Sequence, residues 1–225
     1  MDDERFPLRA QISSAVEDLG WRLILGTVRT AVTVSGIAEA ADVVQVAAEA
    51  ADAAGDGALE VSLHGGRVGL AVQTRALYAV TESDLALVRR ITDALSARGW
   101  RTVPDDRLQL VEIAIDALDI PAVRPFWRAV LGYEDQPGSG PEGGLLDPAR
   151  HGPAVWFQQM DAPRPQRNRI HLDVSVPHDK LQGRLSAALE AGGRLLTDEH
   201  APSFWVLSDA EGNEACLTTW QGRDP

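Results

Sequence analysis

The stretch NRIHLDVSVPHDKLQGRLSAALEAGG, residues 168–193, decides the fold. Ile170, Leu172, Val174 and Val176 alternate with His171, Asp173 and Ser175, the period of a strand with one apolar face. The other face carries an imidazole, a carboxylate and a hydroxyl in a row. Leu181, Leu185 and Leu189 then recur at helical spacing, and Gly192-Gly193 stops the run. The same grammar stands in LQLVEIAIDALDIPAVRPFWRAVLGY, residues 108–133. There a strand leads to Asp119 as a cap, Pro121 near the helix start, Val123, Phe126, Trp127 and Val130 facing inward, and Gly132 as the stop. Glu112 and His171 hold equivalent places in the two strands. Strand-like pieces follow each helix: LLDP and PAVWFQQM in the first unit, SFWVLSD and NEACLTTW in the second. Two such units are too few for a solenoid and fit a pseudo-twofold domain.

Upstream the pattern differs. LRAQISSAVEDL (8–19) reads as a short helix stopped by Gly20, and WRLILG and TVRTAVTV read as strands. Ile37, Ala41, Val44, Ala48 and Ala51 predict an amphipathic Ala-rich helix over 36–53, ended by GDG. LEVSLHGGRVGLAVQT (59–74) is a hairpin, with Gly65-Gly66 expected to supply two positive-φ turn residues and His64 expected to be exposed. TESDLALVRRITDALSARG follows as a helix capped by Thr81, striped by Leu85, Val88, Ile91 and Leu95, and closed by Gly99. The Pro- and Asp-bearing connector TVPDDRLQ places a domain boundary near residue 104, giving domains 1–104 and 105–225. The fold class expected is α+β.

Of the 225 residues, 44% are hydrophobic and 24% charged, an ordinary globular balance. A net charge of −12 argues against nucleic acid and anionic lipid as partners, because both need a basic footprint. No apolar run is long enough to span a bilayer, and MDDERFPLRA has no signal-like core. A lone cysteine, Cys216, suits a reducing compartment, so the expected location is cytoplasmic.

The words DIPAVRPFWRAVLGY, NRIHLDV and SDAEGNEACL make residues 108–220 resemble the vicinal-oxygen-chelate superfamily of glyoxalases, bleomycin-resistance proteins and dioxygenases, nearest its glyoxalase-like branch. That resemblance implies two βαβββ units closing a cupped sheet around a small-molecule pocket. In many members the cup also holds a divalent metal. Alternation puts Glu112, Ala114 and Asp116 on one strand face, with His171, Asp173 and Ser175 on the equivalent one. Val111, Ile113, Ile115, Leu172, Val174 and Val176 fill the opposite faces. Trp156 and Gln158 share a face in WFQQ, as do Glu214, Cys216 and Thr218 in NEACLT. Carried over by position, the metal places fall on Glu112, Gln158, His171 and Cys216, and zinc, nickel, manganese or iron would be the metal. Gln is a weak ligand and the thiol must ionise, whereas metal-dependent members usually have a carboxylate where Cys216 stands. No cofactor is therefore assigned from the sequence. Glu112 and His171 are the catalytic candidates. Asp116, Trp127, Trp156, Gln158, Asp173, Trp205 and Glu214 are the candidate pocket.

More weakly, residues 8–98 are similar to pterin-4a-carbinolamine dehydratase, through the element order, LGW at 19–21 and VTESDLALVRRI at 80–91. Its histidine signature is missing: DAAGDGALE (52–60) stands where His-His-Pro belongs, and Thr74-Arg75 where Thr-His belongs. Only Asp84 matches that family's site region.

Three functions follow. The favoured one is a small-molecule-binding protein of the glyoxalase and bleomycin-resistance type, with catalysis left open. The alternatives are a metal-dependent lyase, isomerase or dioxygenase of the glyoxalase type, and a pterin dehydratase or pterin-binding module. Both resemblances carry an expectation of homodimers.

Overall fold

The computed structural model describes residues 6–105, 108–163 and 170–222. Asn168 and Arg169 of the deciding stretch lie outside the described residues, as do Asp106 and Arg107 of the connector. The chain divides into two compact units, 1–110 and 111–225.

The first unit runs α1 (Arg9–Glu17), β1 (Arg22–Ile24), β2 (Thr27–Thr33), α2 (Ile37–Ala51), β3 (Leu59–His64), β4 (Arg67–Val72), α3 (Glu82–Ala97) and β5 (Thr102–Val103). Its antiparallel sheet has the order β1-β2-β4-β3, with β5 also pairing β2. Val28, Val32, Val68, Leu70 and Val72 from the sheet pack with Ile12, Val43, Leu85, Val88, Ile91 and Leu95 from the helices. Thr81 caps α3 as expected, in a box with Asp84.

Two expectations are corrected here. In the β3–β4 turn only Gly66 has a positive φ, so Gly65 needs no left-handed backbone. The buried face of α2 is Ala40, Val43, Val46, Ala47 and Ala51, while Ile37 is exposed. An Ala-rich helix offers more than one stripe at helical spacing, and the sequence pattern alone does not choose between them.

The second unit carries the repeat. Its first module is β6 (Glu112–Ala117), α4 (Ile120–Leu131), β7 (Glu134–Asp135), β8 (Leu145–Leu146) and β9 (Ala154–Gln159). The second is β10 (Leu172–Ser175), α5 (Leu181–Glu190), β11 (Arg194–Thr197), β12 (Phe204–Ser208) and β13 (Glu214–Thr218). The two sheets have matching orders, β6-β9-β8-β7 and β10-β13-β12-β11. In each, the leading strand is terminal and pairs in parallel with the last. One core serves both modules: Val123, Phe126, Trp127 and Val130 of α4 pack with Leu145, Val155, Leu181, Ala188, Leu207 and Leu217. On α5 Leu181 is buried and Leu185 packs against the core as expected, while at the last turn Ala188 is fully buried in place of Leu189, which is partly exposed. Val111 and Ile170 are exposed, because both fall just outside their strands.

The turn between β12 and β13 fastens the modules together. Asp209 is fully buried and accepts hydrogen bonds from Trp127 Nε1 (3.0 Å), the backbone N–H groups of Glu211 (2.9 Å) and Asn213 (2.8 Å), and Asn213 Nδ2 (2.8 Å). The Glu211 carboxylate accepts from the N–H groups of Leu118 (2.9 Å) and Asp119 (2.7 Å) at the start of α4. Backbone N–H groups there have no helical acceptor, and an anion satisfies both them and the helix dipole.

Candidate functional site

Strand alternation sets out two polar faces. On β6 and β9 the register pairs Glu112 with Ala154, Ala114 with Trp156 and Asp116 with Gln158, and all of these point away from the Ile115–Phe157 side. On β10 and β13 it pairs Asp173 with Cys216 and Ser175 with Thr218, whose hydroxyls meet at 2.8 Å.

A cavity of about 320 Å³ opens between the two leading strands. Ile113, Ile115, Trp127 and Leu172 supply apolar wall, while Asp116, Asn213 and Glu214 supply the polar groups. The Trp127 N–H is already held by Asp209, so what it offers is ring surface.

Beside the cavity lies a titratable cluster. His171 Nε2 is 3.4 Å from Glu214 Oε2, and His171 Nδ1 is 3.7 Å from Cys216 Sγ. One donor atom from each of His171, Asp173 and Cys216 lies within 4.8 Å of the other two. Burial pushes the Cys216 thiol up to about 11, and the carboxylates of Asp173 and Glu214 add to the effect by opposing a second negative charge.

The expected residues divide accordingly. Asp116, Trp127 and Glu214 line the cavity; Glu112, Trp156, Gln158, His171, Asp173 and Cys216 do not. Trp205 pairs with Leu217, is buried in the core of the unit and does not line this cavity. Ala114, Asn213 and the apolar wall were missed. Ala114 had a signal, since one small residue between Glu112 and Asp116 leaves room on a polar face.

The four-residue metal set is not assembled. Glu112 and Gln158 stand four rungs apart on the β6–β9 ladder, roughly 13 Å along the strands. The module repeat shows why. His171, one residue before the ladder, faces Glu214 at 3.4 Å, with Cys216 next on that face; Glu112 lies across from Ala154, and the next residue is Trp156. The place equivalent to Cys216 is thus an indole, which donates a hydrogen bond and ligates nothing. A metal held between the two modules does not fit these residues.

Residues 112–218 match the family model described as the glyoxalase-like domain. Among solved structures the chain is similar to a glyoxalase/bleomycin resistance protein/dioxygenase family enzyme from Burkholderia phytofirmans PsJN, at 19% identity and a TM-score of 0.40, covering 50% of this chain and 98% of that one. It is also similar to hypothetical protein SA1046 from S. aureus, at 13% identity and a TM-score of 0.41, covering 50% and 94%. A third is the fosfomycin resistance protein FosX from Mesorhizobium loti, at 11% identity and a TM-score of 0.41, covering 51% and 94%. Likenesses this distant say nothing of substrate. No match was found among curated proteins.

Proposed function

We propose that this chain, whose residues 112–218 form a glyoxalase-like domain, binds one small organic molecule in the hollow between β6 and β10. The cavity carries the reading: about 320 Å³, at the small end of the range for ligand pockets, with apolar walls and a few convergent polar groups. Asp116 and Glu214 are the carboxylates that would accept hydrogen bonds from the ligand, and any proton transfer would fall to them. Ile113, Ile115, Leu172 and the Trp127 ring would bury its apolar part.

Ala114→Trp tests this, because Ala114 lines the cavity without belonging to the core. A small-molecule library screened against the full chain by ligand-observed NMR is expected to give binders. Each should weaken at least about tenfold in the variant, the loss of roughly 1.4 kcal/mol. A library without binders, or binders indifferent to Ala114→Trp, overturns the reading.

For the first unit we propose a dehydratase-like scaffold without that chemistry. Its support is that Asp84 is buried and engaged, accepting from Thr74 Oγ1 (2.9 Å) and Thr81 N (2.8 Å). The side chain serves the helix cap and the end of the hairpin.

No helix among the described residues is long and apolar enough to cross a membrane.

A further inference from the structure

We propose that the second unit carries a separate site for a small organic anion, in the groove where α4 and α5 lie side by side. A carboxylate or phosphate head would sit between Arg128 and Arg184, with an apolar body against the Tyr133 ring. The groove holds about 470 Å³ and shares no residue with the cavity between β6 and β10, so the site goes beyond ligand binding there. Arg128 and Arg184 are its charged lining residues, none is acidic, and all others apart from Tyr133 are Pro, Ala or Gly. On a chain of net charge −12, a hollow that is locally cationic selects for anions.

Helix geometry brings the two guanidiniums together. Arg128 and Gly132 stand at i and i+4 on α4 and so share a face. Gly132 has a φ of +70°, and the Arg184 guanidinium from α5 occupies the place its side chain would take. The positive charges are therefore neighbours, an arrangement that costs energy until an anion lies between them. Both arginines have donors to spare. Half-buried Arg184 gives one N–H to the Val130 carbonyl at 3.3 Å, a long bond. Arg128 has Asp135 Oδ1 at 3.7 Å, but Arg124 holds that oxygen at 2.8 Å. Neither has a further partner among the described residues, and each guanidinium is a five-donor fork matched to carboxylate and phosphate oxygens. The Tyr133 hydroxyl lies where a side chain on Gly152 would be, so what Tyr133 offers the groove is ring surface.

Titration of the full-length chain with inorganic phosphate, phenyl phosphate and benzoate at low salt gives the test, read by NMR from the arginine Nε–H resonances. Phenyl phosphate or benzoate is expected to saturate below about 10 mM, to shift Arg128 and Arg184, and to weaken as salt rises. Tighter binding of phenyl phosphate marks a phosphate ester as the ligand class, and tighter binding of benzoate marks a carboxylic acid. Arg128→Gln and Arg184→Gln each weaken binding at least about tenfold. Tyr133→Ala weakens phenyl phosphate and not inorganic phosphate. Arg194→Gln on β11 leaves binding unchanged. Arg184 also holds the end of α4, so circular dichroism separates lost binding from lost folding, and exposed Arg128 carries the test if Arg184→Gln does not fold. No saturable binding, binding indifferent to Arg128→Gln, equal loss in Arg194→Gln, or equal affinity for phenyl phosphate and inorganic phosphate overturns the inference. Ala114→Trp leaves anion binding unchanged, so failure here is distinct from failure of the cavity experiment.

Discussion

Glu39 sits in the first turn of α2, where its carboxylate accepts from Ser35 Oγ (2.6 Å), Ser35 N (2.7 Å) and Trp100 Nε1 (2.9 Å). The Ser35 side chain, the Ser35 backbone and the Trp100 indole together lower its pKa from 4.5 to about 2. A carboxyl depressed by folding contributes stability above its unfolded pKa and loses it as pH falls through the folded one. Glu39→Gln is therefore expected to lower the urea midpoint at neutral pH, with the gap to the parent closing between about pH 4.5 and pH 2. A gap constant across that window would refute the assignment. At this scale the sequence was readable where alternation ran inside a strand, as for Asp116, Asp173 and Glu214. It misled at the ends: Ile170 and Val111 continue the alternation on paper, but the strands start after them. Trp205 misled differently, since a lone aromatic in a strand does not declare which sheet face is the wet one.

Among the elements, the β12–β13 turn bears most on the second unit. Asp209→Ala would leave Trp127 Nε1 and two backbone N–H groups short of acceptors in a buried place. The expected cost is on the order of 3 kcal/mol, read as a lowered midpoint in chemical denaturation. A change under about 0.5 kcal/mol, the usual size for surface positions, would show that the turn does not fasten the modules. The helices were legible from their caps and stripes, since Thr81, Asp119 and Gly132 each mark an end the structure uses. Strands β7 and β11 were not. The first has two residues, and in the second, RLLT, adjacent leucines give no alternation. Register was the larger gap. Which residue of β9 stands beside Glu112 depends on strand pairing, and no residue pattern within either strand declares it. Gln158 came to a metal place through the family resemblance alone, and the register sets it beside Asp116, with Ala154 beside Glu112.

For the whole molecule, the two units ask separate questions. In the first, neither 52–60 nor 74–75 contains a histidine, and Asp84 is spent on its cap. Assay of carbinolamine dehydration is expected to give no rate above the uncatalysed background; measurable turnover would mean that other side chains have taken over the acid–base work. In the second unit the repeat of strand, helix and returning strands was visible because each module repeats the same punctuation. The cavity was not visible, because it forms where two sheet edges meet and no local pattern records that meeting. The Asp209 and Glu211 fastening has a practical consequence. The words that make this half of the chain recognisable, FW in α4 and DAEGN in the turn, are clasps of the scaffold through Trp127, Asp209 and Glu211, and Trp127 and Asn213 lend the cavity a wall and a polar group as well. An engineer could rewrite the strand positions of the cavity for a new guest, while Trp127 and Asn213 would have to stay as they are.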